Sequence, residues 1–558
     1  MKKAKAPQKF QKTAHTGPGR ISFISGISIE KNRLLPGLLL VVTLVIFSVS
    51  LRNQILIGWD DGEYLTHPDV LKAGAGTGSS IFSSFYLGMY QPLAMLSFVI
   101  NYRITGDSAA AFIFVNLLLH LLNTWLVYKL STRWFSRIET SFIIAALFAL
   151  HPMHVEGVVW ISVRSSLMYS AFFLAGLLQY DKFLTRKKNS DYYLTLLWFV
   201  FALLSKSMAA TFPMIMLAVD WFSRRTFSWR VIYEKIPFFI LSVIFGIVAI
   251  KASQSFGHIT VLEKSYEIGQ RIVLILYGIS FYLSKLLLPV NLSAIYAFPE
   301  ISNGSMPGWI YLPIILLLLL GVLIWRAKKH RRTFVFGSLF FLLSISMVLP
   351  LFWSRIFITA DRYTYLPYIG LFAIIAIMLT EVWDKRESLA SSTYNMLRIA
   401  LGLILIMMVI TTINRIKTWH DVPELLGDVI ENQRSDADMA HGYFYLGNYY
   451  DTQGKDEEAV KNYNLAISRN KGYLLAYNNR GILKGKHGDI NGAVSDFTEA
   501  ITLKPDYAEA YYNRGVALYQ RQEKDKACSD WHKAATIGFK QANAVINEYC
   551  IEHVMPKF

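Results

Sequence analysis

Apolar runs of roughly 20 residues, the length a helix needs to cross a hydrocarbon core, recur along the first 413 positions and end at Ile413. Short polar and aromatic stretches separate them. The pattern predicts spans at 34–51, 108–130, 139–157, 159–181, 191–206, 207–223, 235–252, 309–326, 333–351, 366–383 and 396–413. A further apolar segment, 272–290, breaks the alternation of loop charge. If it crossed, RAKKHRR (326–332) or the basic loops before it would change sides. It is therefore expected to be a re-entrant or interfacial helix. Eleven crossings place the residues after 413 on the side opposite the N-terminus.

Those last residues pattern differently. YFYLGNYYDTQGKDEEAVKNYNLAI, YNNRGILKGKHGDINGAVSDFTEAI and YYNRGVALYQRQEKDKACSDWHKAA align at a spacing of 34: Gly447, Gly481, Gly515; Ala459, Ala493, Ala527; Tyr463, Phe497, Trp531; Ala466, Ala500, Ala534. Small residues at fixed places let two helices pack closely, and the aromatic fills the gap to the next pair. This is the tetratricopeptide pattern. Such arrays bind extended peptides or partner helices on a concave face. The domains expected are a basic cytoplasmic tail (1–33), a membrane domain (34–413), a linker (414–436), three repeats (437–540) and a cap (541–558). The fold class is all-α, a polytopic helical domain followed by an α-solenoid.

Composition agrees with this division: 53% of residues are hydrophobic and 14% aromatic, far from an ordinary soluble enzyme. The net charge of +17 would suggest a nucleic-acid partner if it were spread over a soluble surface. After Ile413, however, 18 basic residues face 20 acidic ones. The excess lies in the N-terminal tail and in KFLTRKKNS (182–190), SRRTFSWR (223–230), RAKKHRR and DKRES (384–388). The positive-inside rule accounts for it and puts these loops in the cytoplasm, and no nucleic-acid partner is expected. LLPGLLLVVTLVIFSVSL follows the tail without a small-residue cleavage site and is expected to stay as an anchor. The only cysteines, Cys528 and Cys550, lie in and just after the last repeat; on the outer side they would be in an oxidising space.

Charged groups near hydrocarbon are functional candidates. Four clusters fall on the outer side: GWDDGEYLTHPDV (58–70), HPMHVE (151–156), Lys206 and DRYTYLP (361–367). Asp60 and Asp61 supply a carboxylate pair. His151 and His154, three apart, are expected on one helical face beside Glu156, where they shape a site or hold a divalent metal with a third ligand from elsewhere. Arg164, Lys206 and Arg362 are candidate phosphate ligands; Arg164 could instead snorkel. Tyr363 and Tyr365 could line a lipid or sugar pocket. Asn116, His120 and Asn123 form one stripe suited to interhelical hydrogen bonding. GAGTGSS (74–80) lacks the lysine of a phosphate loop and reads as flexible loop. A carboxylate that accepts a hydroxyl proton, beside cations that stabilise a departing phosphate, suits transfer of a sugar from a polyprenyl-phosphate donor.

The order WDDGEYL, YQPLAMLSFVINYRITG, FVNLLLHLLNTWLVYKL, HPMHVEGVVWISVRSSLMYS, LLSKSMAATFPMIMLAVDWF, DRYTYLPYIGL, then repeats, resembles the transmembrane and tetratricopeptide-containing O-mannosyltransferase family and its bacterial relatives, in the GT-C clan. The resemblance implies a lipid-linked sugar donor and a catalytic base on the first outer loop, at Asp60 or Asp61. VRSSLMYS stands where the eukaryotic members carry Gly-Arg-Ala-Asp, and only three repeats are present. The expectation is an inverting glycosyltransferase of the inner membrane acting on a hydroxyl, on protein Ser or Thr, at the periplasmic or lumenal face. There the array would hold an acceptor protein or glycan. The rival readings are a membrane-anchored scaffold without activity and an oligosaccharide ligase or polymerase.

Overall fold

The structure, a computed structural model, describes residues 20–23, 27–71, 78–255, 266–299, 306–311, 315, 317–318, 321–322, 326, 328–350, 357–388, 390–432 and 435–550. One antiparallel pair of strands, Arg20–Phe23 and Ile27–Glu30, lies in the expected basic tail. Every other regular element described is helical, as the all-α reading requires.

Among the described residues, seven helices are long and apolar enough to cross a membrane, running from Leu34–Arg52 to Ser391–Thr418. Their outward faces stay apolar: Ile399, Leu403, Ile406 and Ile410 of the last are all exposed, as surface meant for lipid should be. Two expected crossings depart from a single straight helix. The run 139–157 is two pieces, Ile138–Leu150 and Pro152–Val159, bent by 55°, because Pro152 follows an extended His151 and cannot continue the ladder. The run 207–223 is a tight turn followed by Phe212–Phe222, about 16 Å of α-helix against a core near 30 Å thick. Helices Asn189–Ser205 and Tyr368–Asp384 cover 191–205 and 368–383 of the expected 191–206 and 366–383. Most of 309–326 lies outside the described residues, as does most of GAGTGSS.

Segment 272–290 forms the helix Ile268–Leu287, long enough to cross. The chain after it runs back alongside without helix: Tyr266 Oη donates to the Pro299 carbonyl at 2.9 Å, and the Ala297 amide donates to Asp438 of the first repeat at 2.5 Å. Leu292, Ser293, Ala294 and Ile295 of this returning chain are buried, and irregular backbone at membrane depth is tolerated where protein covers it.

The two faces are distinct. At one, the basic loops converge: Lys329 pairs with Glu381 at 3.0 Å, Arg137 with Asp384 at 2.5 Å, and Arg332 Nε donates to the Phe222 carbonyl at 2.9 Å. Helix Tyr368–Asp384 leads from there, over roughly 25 Å, to segment 361–367, the first loop and the repeats. The Gln54 amide donates to the His420 carbonyl at 2.8 Å, so residues after 413 share a face with Asp60. The expected linker is largely helix, since Ser391–Thr418 runs on into it and Val422–Asn432 follows.

The repeats are helix pairs Asp436–Thr452 with Asp456–Arg469, Leu474–Lys486 with Ile490–Leu503, and Ala508–Gln520 with Lys524–Ile537, closed by Ala542–Tyr549. Their glycines are required by close approach. A Cβ on Gly447 would come within 2.6 Å of the Tyr463 ring, on Gly481 within 2.8 Å of Phe497, and on Gly515 within 2.5 Å of Trp531. Cys528 and Cys550 are bridged; closing a loop of this size stabilises by about 3 kcal/mol.

Candidate functional site

A cavity of about 240 Å³ opens on the face shared by the first loop and the repeats, lined among others by Trp59, Asp60, Trp160, Lys206, Arg362, Tyr363 and Tyr445. Asp60 and Asp61 begin the short helix Asp60–Leu65, and successive helical side chains diverge by about 100°, so the pair divides. Asp61 turns inward: its carboxylate accepts from the amides of Ser162 at 2.9 Å and Leu56 at 3.2 Å and from the Ser162 hydroxyl. It ties the first loop to the bend after Val159, and burial pushes its pKa up to about 6 against those hydrogen bonds. Asp60 faces the cavity. Burial raises its pKa above 3.8, and the Arg362 charge opposes that rise.

Arg362 sits on the turn Asp361–Thr364. Its amide donates to Glu156 Oε2 at 3.0 Å, its guanidinium pairs with Glu156 Oε1, and it stacks on the rings of Trp160 and Tyr363 at 5.1 and 5.0 Å. Burial disfavours its charge, but the Glu156 carboxylate outweighs that and holds its pKa above the ordinary value. Glu156, itself buried, is thus the group that aims Arg362. Lys206 ends helix Asn189–Ser205, and its Nζ donates to Ser166 Oγ at 2.6 Å at the cavity wall. Asp60, Lys206, Arg362 and Tyr363 come together as expected.

The other expected site residues lie behind the wall. Arg164 is fully buried: Nε donates to Asn116 Oδ1 at 2.9 Å, Nη2 to Asn101 Oδ1 and the Phe112 carbonyl at 2.9 Å, and Nη1 to Ser97, between the rings of Phe98 and Phe112. Neither phosphate ligand nor snorkelling side chain, it staples three helices. His151 and His154 do not share a helical face, because the tight turn Pro152–His154 intervenes, though their rings lie 6.0 Å apart. His151 Nε2 donates to the Leu286 carbonyl at 3.1 Å and His154 Nδ1 to the Phe148 carbonyl at 2.7 Å. Tyr365 Oη meets His120 Nδ1 at 2.8 Å and Asn123 Nδ2 at 3.2 Å. Asn116 also donates to the Val158 and Trp160 carbonyls at 3.2 and 3.1 Å, the interhelical role its stripe predicted. Among the described residues no group of three or more His, Cys, Asp or Glu is placed to hold a metal ion.

Sequence reasoning did not single out Tyr445. It lies in the first repeat, and its contact with the first loop spans almost 400 positions of sequence, which no local pattern reveals.

Residues 91–250 match the family model described as dolichyl-phosphate-mannose-protein mannosyltransferase, and 440–473 and 486–522 match tetratricopeptide repeat models. A protein O-mannosyl-transferase of Caenorhabditis elegans is 27% identical over 406 residues, 71% of this chain and 56% of that protein. A human protein O-mannosyl-transferase is 33% identical over 129 residues, 21% of this chain and 14% of that one. The chain is homologous to these proteins and spans about half the length, or less, of the curated relatives it matches. Among solved structures, the first tetratricopeptide domain of Spaghetti bound to an HSP90 peptide is 24% identical, covering 21% of this chain and 95% of that one, with a TM-score of 0.20.

Proposed function

We propose that the chain is a membrane glycosyltransferase that moves a sugar from a polyprenyl-phosphate donor to a Ser or Thr hydroxyl of a protein. The observation that carries this reading is the convergence of Asp60, Lys206 and Arg362 on one cavity wall. The Asp60 carboxylate takes the proton as the acceptor oxygen attacks the anomeric carbon from the face opposite the phosphate. A new C–O bond forms, the bond to the phosphate oxygen breaks with inversion, and the charge left on the phosphate falls to Lys206 and Arg362. The basic loops at the far face and the Cys528–Cys550 bridge favour the periplasmic or lumenal side for the cavity and the repeats.

The test uses the full chain in proteoliposomes, with mannosyl-phosphoryl polyprenol and a Thr-containing peptide; mannose is the sugar in the relatives' names. Transfer is expected. Arg362→Ala should weaken donor use by roughly 2–5 kcal/mol, the range for truncating one partner of a buried charge pair. An unchanged donor dependence would remove Arg362 as a phosphate ligand, and no transfer from any polyprenyl-phosphate sugar would overturn the reading.

A further inference from the structure

Tyr445 is a tyrosine that the repeat pattern does not require. At the same position in the next repeats stand Asn479 and Asn513, and the ring that fills each helix pair is another one, Tyr463, Phe497 or Trp531. Tyr445 packs on Phe444 of its own repeat at 5.3 Å and also reaches beyond the array: its ring centroid lies 4.6 Å from that of Trp59, tilted by 54°, and it lines the cavity beside Asp60. Backbone contact fixes this placement. Gly58 has φ +88°, and a Cβ there would lie 3.0 Å from Tyr449 Cα. The Ala297 amide, bonded to Asp438, pins the start of the same helix.

We infer that Tyr445 is a specificity-determining residue for the donor sugar: with Trp59 it forms the aromatic wall against which the sugar ring packs its C–H face. Thus the first repeat completes the reaction pocket. This rests on the glycosyltransferase reading and goes beyond recruitment of an acceptor. A ring with a broad apolar face and a polar tip suits a ligand that is apolar on one side and hydroxylated at its edge. Inverting one hydroxyl of a hexose changes which C–H bonds it offers, so this wall should discriminate between epimers.

The experiment compares mannosyl- and glucosyl-phosphoryl polyprenol with the full chain in proteoliposomes, using a tripeptide acceptor too short to reach along the repeats. Tyr445→Asn is the main variant, because two other repeats carry Asn there and fold; Tyr445→Phe keeps the ring. Tyr445→Asn should lower kcat/KM with the preferred donor about tenfold, the size of one good aromatic contact. The ratio between the two donors should narrow severalfold, and Tyr445→Phe should restore most of both. An equal fall for both donors would mean a merely structural role and overturn the inference. So would unchanged tripeptide transfer with loss only for long acceptors, which would leave the array a recruiting module. If Asp60→Asn abolishes transfer while Tyr445→Asn leaves rate and ratio intact, only this inference fails. If the unmodified chain transfers from neither donor, the glycosyltransferase reading fails and takes this one with it.

Discussion

The cavity wall and the polar seam behind it are built from the same residue types and treat them oppositely. On the wall, Asp60 and Arg362 face space. In the seam, Asp61 and Arg164 meet neutral protein donors and acceptors on every side. A charge in a membrane domain can therefore be an instrument or a fastener: Arg362 lines the cavity beside its Glu156 partner, whereas every N–H of Arg164 is taken up by the protein. Arg164, with Asn116, Asn101, Ser97 and Phe112 around it, has nothing left for a phosphate.

The strongest way to break this contrast is through the adjacent acids. Asp60→Asn should lower kcat by about 10²–10⁴, the usual contribution of a general base, and leave unfolding unchanged. Full turnover in this variant would move the base elsewhere. On the seam side, Arg164→Met should destabilise the membrane domain by about 3 kcal/mol, because several buried acceptors lose their donor at once. Thermal unfolding in detergent measures this, and an unshifted midpoint with weakened donor use would return Arg164 to the site. Asp61→Asn should act as a milder version, costing about 1–3 kcal/mol by setting an amide N–H against backbone donors, with turnover falling only as far as the first loop loosens.

The smallest effect is on pH dependence. Asp60 works ionised, and burial raises its pKa above 3.8. Transfer should therefore fall as the pH drops through a midpoint above that value in the kcat/KM profile. Arg362 opposes the rise, so Arg362→Gln should move the midpoint further up. A downward move would show that the carboxylate being titrated does not feel Arg362.

Much of the architecture could be read in advance because hydrophobic length and a 34-residue period are one-dimensional signals. The repeats followed from Gly447, Gly481 and Gly515, whose role is a contact with a ring 16 residues later, well within a local pattern. Two of the basic loops do meet at one end, where Lys329 and Lys385 both pair with Glu381. The site was legible only in part. Asp60, Lys206, Arg362 and Tyr363, singled out by residue type and side, do line one cavity, but the same reasoning enrolled Arg164, His154 and Tyr365, whose partners lie behind the wall.

The sequence alone determined which segments prefer lipid, which face carries the basic loops and where the helix pairs of the array repeat, because each depends on the solvation and spacing of neighbouring residues. The tertiary structure decided which of two adjacent aspartates faces the cavity, that Glu156 serves Arg362, and that Tyr445 reaches Trp59. Those outcomes depend on the direction of single side chains and on contacts across hundreds of residues, and a hydrogen bond or a ring contact exists only once the backbone has brought its two halves within a few ångströms.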